Sequence, residues 1–197
     1  MKHILTTLIA IAALSAQASS FQWGTGSVKV SFNGADMTTT DYSVTAYLVY
    51  LGTSSDTSSL VTYTSDGTVT TAESVQTAVP ATSGLTSNKG KVKATYDDNN
   101  NGNIAEGNYF AVFLEYTTSD YTYYNVSSAS AASLDATGAF NAMTFSFDFS
   151  SEAQVKTVSS SGSISGGSGW TAVAVPEPSV ALMGLLGIGM LIRRRRA

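Results

Sequence analysis

Cysteine is missing from this chain, and histidine occurs once, as His3. Without thiols there is no disulfide framework, no thiolate nucleophile and no cysteine-ligated metal. His3 falls in a segment whose pattern marks it for removal, which leaves the mature protein without an imidazole. Ser-His-Asp hydrolysis, Cys-His catalysis and histidine-bound zinc or copper are then excluded by inventory. Charge is scarce too: Asp, Glu, Lys and Arg make up 12% of the residues, with a net charge of −4. Between the two ends the cations are Lys29, Lys89, Lys91, Lys93 and Lys156. An acidic chain with no basic stripe repels phosphate backbones, so nucleic acid is not an expected partner. What the chain does have is Ser and Thr in quantity, 10 Tyr and 8 Phe. That composition favours strands, and its aromatic and β-branched content sets it apart from disordered Ser/Thr-rich segments.

Both ends carry processing signals. Lys2 and His3 precede the apolar run Ile4 to Leu14, and Ala16-Gln17-Ala18 forms a small-x-small site before Ser19. This is the pattern of a secretory signal peptide over residues 1–18, cut by signal peptidase. The apolar run is too short for a retained span. At the other end Pro176-Glu177-Pro178 is followed by the apolar run Val180 to Ile192, then Arg193, Arg194, Arg195, Arg196 and Ala197. As a helix that run reaches only about 20 Å against a hydrocarbon core of about 30 Å. The arginines snorkel at the interface and hold the extreme C-terminus on the cytoplasmic side. With the N-terminus exported, the middle section is placed outside the inner membrane.

In its order of Pro-Glu-Pro motif, short Gly- and Leu-rich helix and terminal arginines, residues 176–197 resemble the PEP-CTERM sorting signal. The resemblance implies cleavage near Pro176–Pro178 by an exosortase, in a Gram-negative bacterium that makes extracellular polysaccharide. Two prolines keep the motif extended, as a protease requires, and Gly184, Gly187 and Gly189 permit close helix packing.

The middle section reads as strands. Val28, Val30 and Phe32 alternate with polar residues, as do Met143, Phe145, Phe147 and Phe149, which predicts half-buried strands. Tyr42 to Leu51 and Tyr109 to Tyr116 are apolar on both faces and belong at the centre of a sheet. Leu60 to Tyr63 and Val69 to Thr71 flank Asp66-Gly67, a hairpin signal. Val92 to Tyr96, with Lys91 and Lys93 on one face, suits an edge strand. Tyr121 to Val126 completes about eight strands. With no convincing amphipathic helix, the expectation is an antiparallel β-sandwich over residues 19–158. Ser128 to Ala136 is open to one helical turn. Residues 159–175 read as a Ser/Gly-rich linker, with Trp170 to Val175 as a possible last strand.

Three features are candidates for chemistry. In the stretch from Asp97 to Glu106, Asp97, Asn99 and Asn101 occupy alternate positions, Gly102 is sixth, Asn103 offers a carbonyl and Ile104 is apolar. This half resembles the calcium loops of EF-hand and dockerin proteins, with Glu106 as an early acidic ligand. Asn108 stands where those loops carry a bidentate Glu, so an Asx-rich turn is the competing reading. Tyr121, Tyr123 and Tyr124, with Trp23 and Trp170, offer rings for sugar stacking, although Tyr124 points away from the other two on a strand. Glu106 with Glu115, or Asp97 with Asp98, are the remaining acid/base pairs of glycosidase type. Asn125-Val126-Ser127 fits a glycosylation sequon of no expected consequence in a bacterium. Together these features predict a non-catalytic surface or matrix protein of the envelope, linked to extracellular polysaccharide. The alternative is a carbohydrate-binding module, with calcium as its possible cofactor.

Overall fold

A computed structural model describes residues 20–37, 43–80, 90–98, 104–150, 154–155 and 160–174. The signal segment, with Ala16, Ala18 and Ser19, lies outside the described residues, as do Pro176, Glu177 and Pro178 and the arginines 193–196. The described residues are all β, with no helix among them. Strands β1 (Ser20–Gly24), β8 (Lys93–Asp97) and β12 (Met143–Thr144) form a small sheet in the order β12-β1-β8. The main sheet runs β13 (Gln154–Val155), β15 (Thr171–Ala174), β10 (Tyr121–Val126), β9 (Tyr109–Thr117), β4 (Val44–Gly52) and β7 (Gln76–Ala78). β11 (Ser130–Ala131) pairs with β9 at Phe110 and Tyr109. A third sheet holds β14 (Gly162–Ser163), β5 (Val61–Tyr63) and β6 (Val69–Thr71), and a fourth is the hairpin of β2 (Ser31–Phe32) and β3 (Ala35–Asp36). Pairing is antiparallel except between β1 and β12 and between β13 and β15.

The long pair β4–β9 sits inside the main sheet because it has no polar face to give to water. Ala46 pairs with Leu114, Leu48 with Val112 and Tyr50 with Phe110, and these point one way. Tyr47 pairs with Phe113 and Val49 with Ala111, pointing the other way. On the first face they meet Phe21 and Trp23 from β1, with Met143, Phe145 and Trp170. On the second they meet Leu60, Val61 and Ile164, which belong to or adjoin the β14-β5-β6 sheet. Each face therefore has its own core. A fully buried Leu or Phe stabilises by about 1.5–3 kcal/mol, so both coverings matter.

Polar side chains tie the layers together. The Trp23 indole N–H donates to Gln76 Oε1, and Gln76 Nε2 donates to the Thr95 carbonyl at 2.8 Å. Gln76 thereby bridges edge strand β7 to edge strand β8. The Trp170 indole N–H donates to the Ser31 carbonyl at 2.7 Å, pinning the β2–β3 hairpin. Buried Ser127 takes over where β10 stops: its hydroxyl accepts from the Val112 N–H at 2.9 Å and donates to the Ser128 carbonyl.

Several expectations change on contact with the structure. Val28 is 52% exposed, and only Ser31–Phe32 of its segment forms a ladder, because Asn33 and Gly34 turn the chain back with φ of 49° and 79°. Met143 and Phe145 are buried and Phe147 and Phe149 half-buried, but only Met143–Thr144 pairs. No helical turn forms at Ser128–Ala136: Ser130–Ala131 is a strand, and the Asp135 carboxylate caps a turn through the N–H groups of Thr137 and Ala139. The Ser/Gly-rich stretch contributes β14 and the fully buried Ile164, and the last strand docks as β15. The Asp66-Gly67 hairpin and the edge position of β8 stand as expected.

The Ser127 hydroxyl fills a ladder position, so Ser127→Ala leaves the buried Val112 N–H without its acceptor. The expected loss is about 1–3 kcal/mol. Exposed Ser128→Ala should stay within about 0.5 kcal/mol. Denaturant midpoints of the two variants test this.

Candidate functional site

Period-two geometry places Tyr121 and Tyr123 on one face of β10 and Tyr124 on the other, and the structure follows it. Tyr123 pairs with Tyr116 across β9, and Tyr121 with Ala174 at the end of β15. Tyr116 and Tyr123 stack with centroids 5.8 Å apart, and Tyr121 lies 5.9 Å from Tyr123. The row is half-buried. Phe32 packs edge-on against it, 4.7 Å from Tyr123 and 5.2 Å from Tyr116, and reaches Trp170 at 5.7 Å. These rings spend their surface on one another and on the hairpin.

The other rings of the expected sugar platform are internal. Trp23 is 2% exposed and Trp170 1%, and Tyr124 is buried in the second core. A ring stacks on a sugar only through a face open to solvent, so these three are removed from the candidate set. Beside Tyr124 stands Glu115, and burial together with that carboxylate and its hydrogen bond pushes the Tyr124 phenol well above its ordinary value. Burial and the Glu115 charge raise Tyr47 on the same face.

Of the candidate calcium ligands, Asp97 and Glu106 are described and both are exposed; Asn99, Asn101 and Asn103 lie outside the described residues. Asp98 is the informative member. It is 2% exposed, accepts from the Tyr96 hydroxyl at 2.9 Å and from the Ile104 N–H at 3.3 Å. Its carboxylate closes the base of the loop from inside. Sequence reasoning takes Asp98 only as an acid/base partner of Asp97, although parity carries it inward after Val92, Ala94 and Tyr96. Among the described residues no cluster of three metal-binding side chains occurs.

Neither carboxylate pair has acid/base geometry. Tyr109 to Glu115 alone covers about 20 Å of strand, and Glu106 lies before it. Glycosidase carboxyls need about 5–9.5 Å. Asp97 and Asp98 point oppositely, one to solvent and one into the core. The Asn125 sequon is closed as well: Asn125 is fully buried and its Nδ2 donates to the Asp148 carbonyl at 2.7 Å. With this geometry in hand, comparison with known proteins adds nothing: no family profile, no curated protein and no solved structure matches the chain.

The Tyr124 environment predicts a pH dependence with a definite sign. The phenol is raised in the fold, so its contribution is full below the unfolded value near 10 and declines as pH rises past it. Tyr124→Phe should make stability fall less steeply above pH 10, in denaturant melts run on both proteins across that range.

Proposed function

We propose that this chain is an exported, non-catalytic envelope protein: a β-sandwich surface module delivered across the inner membrane and released from its C-terminal anchor by an exosortase. The observation that carries it is the sequence of motifs in the tail, Pro176-Glu177-Pro178, then Val180 to Ile192, then Arg193–Arg196. A signal peptidase site at Ala16, Ala18 and Ser19 agrees with it in topology. The cysteine-free, Ser/Thr-rich composition suits an extracellular module that keeps its fold by packing and hydrogen bonds alone. Association with extracellular polysaccharide follows from the resemblance of the tail.

One structural feature bears on how the tail would be handled. β15 ends at Ala174, two residues before Pro176. A processing enzyme acting at the motif therefore works close against the sheet, and the mature product keeps β15 and its partner strand contacts.

Expression of the full chain in a Gram-negative host with a matching exosortase tests the proposal by intact mass of the product. The expected result is loss of both the first eighteen residues and the residues after the Pro-Glu-Pro motif. Replacing Pro176, Glu177 and Pro178 by Ala should leave the tail attached and the protein in the membrane fraction. A wild-type chain that keeps its tail in an active host overturns the assignment. In the same product, calcium should raise the melting temperature if Asp97, Asn99, Asn101, Asn103 and Glu106 hold the ion, and Glu106→Gln should reduce that rise.

A further inference from the structure

The outer face of the small sheet has a gap in its middle strand. In the register of that sheet Gly24 on β1 lies between Lys93 on β8 and Thr144 on β12. No side chain can stand there, because a Cβ on Gly24 would fall 2.0 Å from the Val92 carbonyl oxygen. Beside it opens a cleft of about 220 Å³ lined by Gln22, Trp23, Gly24, Lys91, Lys93 and Thr144 among others.

The chemistry of this cleft differs from the rest of the surface. The chain is acidic overall, with few cations. Lys29 is engaged with Asp36 at 2.6 Å. Lys91 and Lys93 have no such partner among the described residues, and alternation puts both on the cleft side of the strand. The carboxylate that shares this face, Asp97, lies four residues further along β8, about 13 Å away. Gln22 and Thr144 are exposed beside them and supply neutral donors and acceptors. Lys93 on β8, Lys91 just before it, and hydrogen-bonding side chains on the neighbouring strands match a ring bearing a negative charge and several hydroxyls.

We infer that this cleft binds an anionic sugar, one carboxylated or sulfated ring of a polysaccharide lying across the small sheet. Lys91 and Lys93 pair with the acidic group, while Gln22 and Thr144 meet the hydroxyls. The lysines on this edge strand thus recognise a ligand besides guarding the strand from edge-to-edge pairing. The inference deepens the polysaccharide part of the proposed function and is independent of tail processing.

Calorimetric titration tests it, using the full chain in mild non-ionic detergent with an oligogalacturonate, a sulfated glucan and a neutral glucan as separate probes. Saturable binding of a charged probe, with none of the neutral glucan, is expected. The stronger of the two charged probes identifies carboxylate or sulfate as the recognised group. The Lys91→Gln/Lys93→Gln variant should bind at least about tenfold more weakly, and added salt should weaken the wild type. Gln22→Glu, a change at an exposed position, should abolish binding by placing a carboxylate in the cleft. Lys29→Gln should bind as the wild type does, with all variants checked for an unchanged circular dichroism spectrum. Binding of the neutral glucan as tight as that of the charged probes overturns the inference. So does a Lys29→Gln loss equal to that of the double variant, or no binding at all. A chain that loses its tail normally yet ignores both charged probes refutes the cleft and leaves the sorting proposal standing.

Discussion

The pairing of Val44–Gly52 with Tyr109–Thr117 is the constraint around which the described structure is organised. Two nine-residue strands, apolar on both faces, cannot be left with either face in water. The small sheet and the β14-β5-β6 sheet answer that demand from opposite sides, and the two cores they close share no residues. The remaining strands are short, several of only two residues. They are held by what they cover more than by their own ladders, and Gln76, Trp170, Asn125 and Ser127 supply the hydrogen bonds that fix where each piece sits.

How much of this the sequence discloses depends on whether the signal is local. Continuous apolar runs identify β4 and β9 as central, and Asp66-Gly67 identifies a hairpin, because both depend on neighbours in the chain. The Asn33-Gly34 turn was equally local and equally readable; the Val-Lys-Val-Ser-Phe alternation before it argued for a longer strand than the turn allows. Burial of Trp23, Trp170 and Ile164 was not readable in this way. Each is set by partners far along the chain, such as Gln76 for Trp23 and Ser31 for Trp170. A Ser/Gly-rich flank makes Ile164 look like linker until β5 is brought alongside.

The candidate sites divide along the same line. Exposure decides whether an aromatic or a carboxylate can meet a ligand, and exposure is a tertiary property. The tryptophans that looked like a sugar platform hold the fold together. Asp98, one residue into the acidic stretch, closes a loop from within. Two lysines whose spacing suits edge protection flank a cleft beside Gly24, which sits between Lys93 and Thr144. The proposal for the terminal segments is a different case, since it rests on the order of short motifs and on no part of the described fold.

The position of β15 sets the order in which the fold is completed. This strand, close to the end of the described chain, lies inside the main sheet between β13 and β10, and Trp170 just before it closes on a carbonyl 139 residues earlier. Until residue 174 has been delivered, β10 keeps an open edge and the first core lacks one of its largest rings. A chain delivered from its N-terminus therefore waits, with most of its described strands already available, for this segment. Contacts so distant in sequence are slow to form, and an unpaired edge is a site for wrong pairing. Proteins with this arrangement depend on whatever holds the emerging chain apart from its copies during that interval.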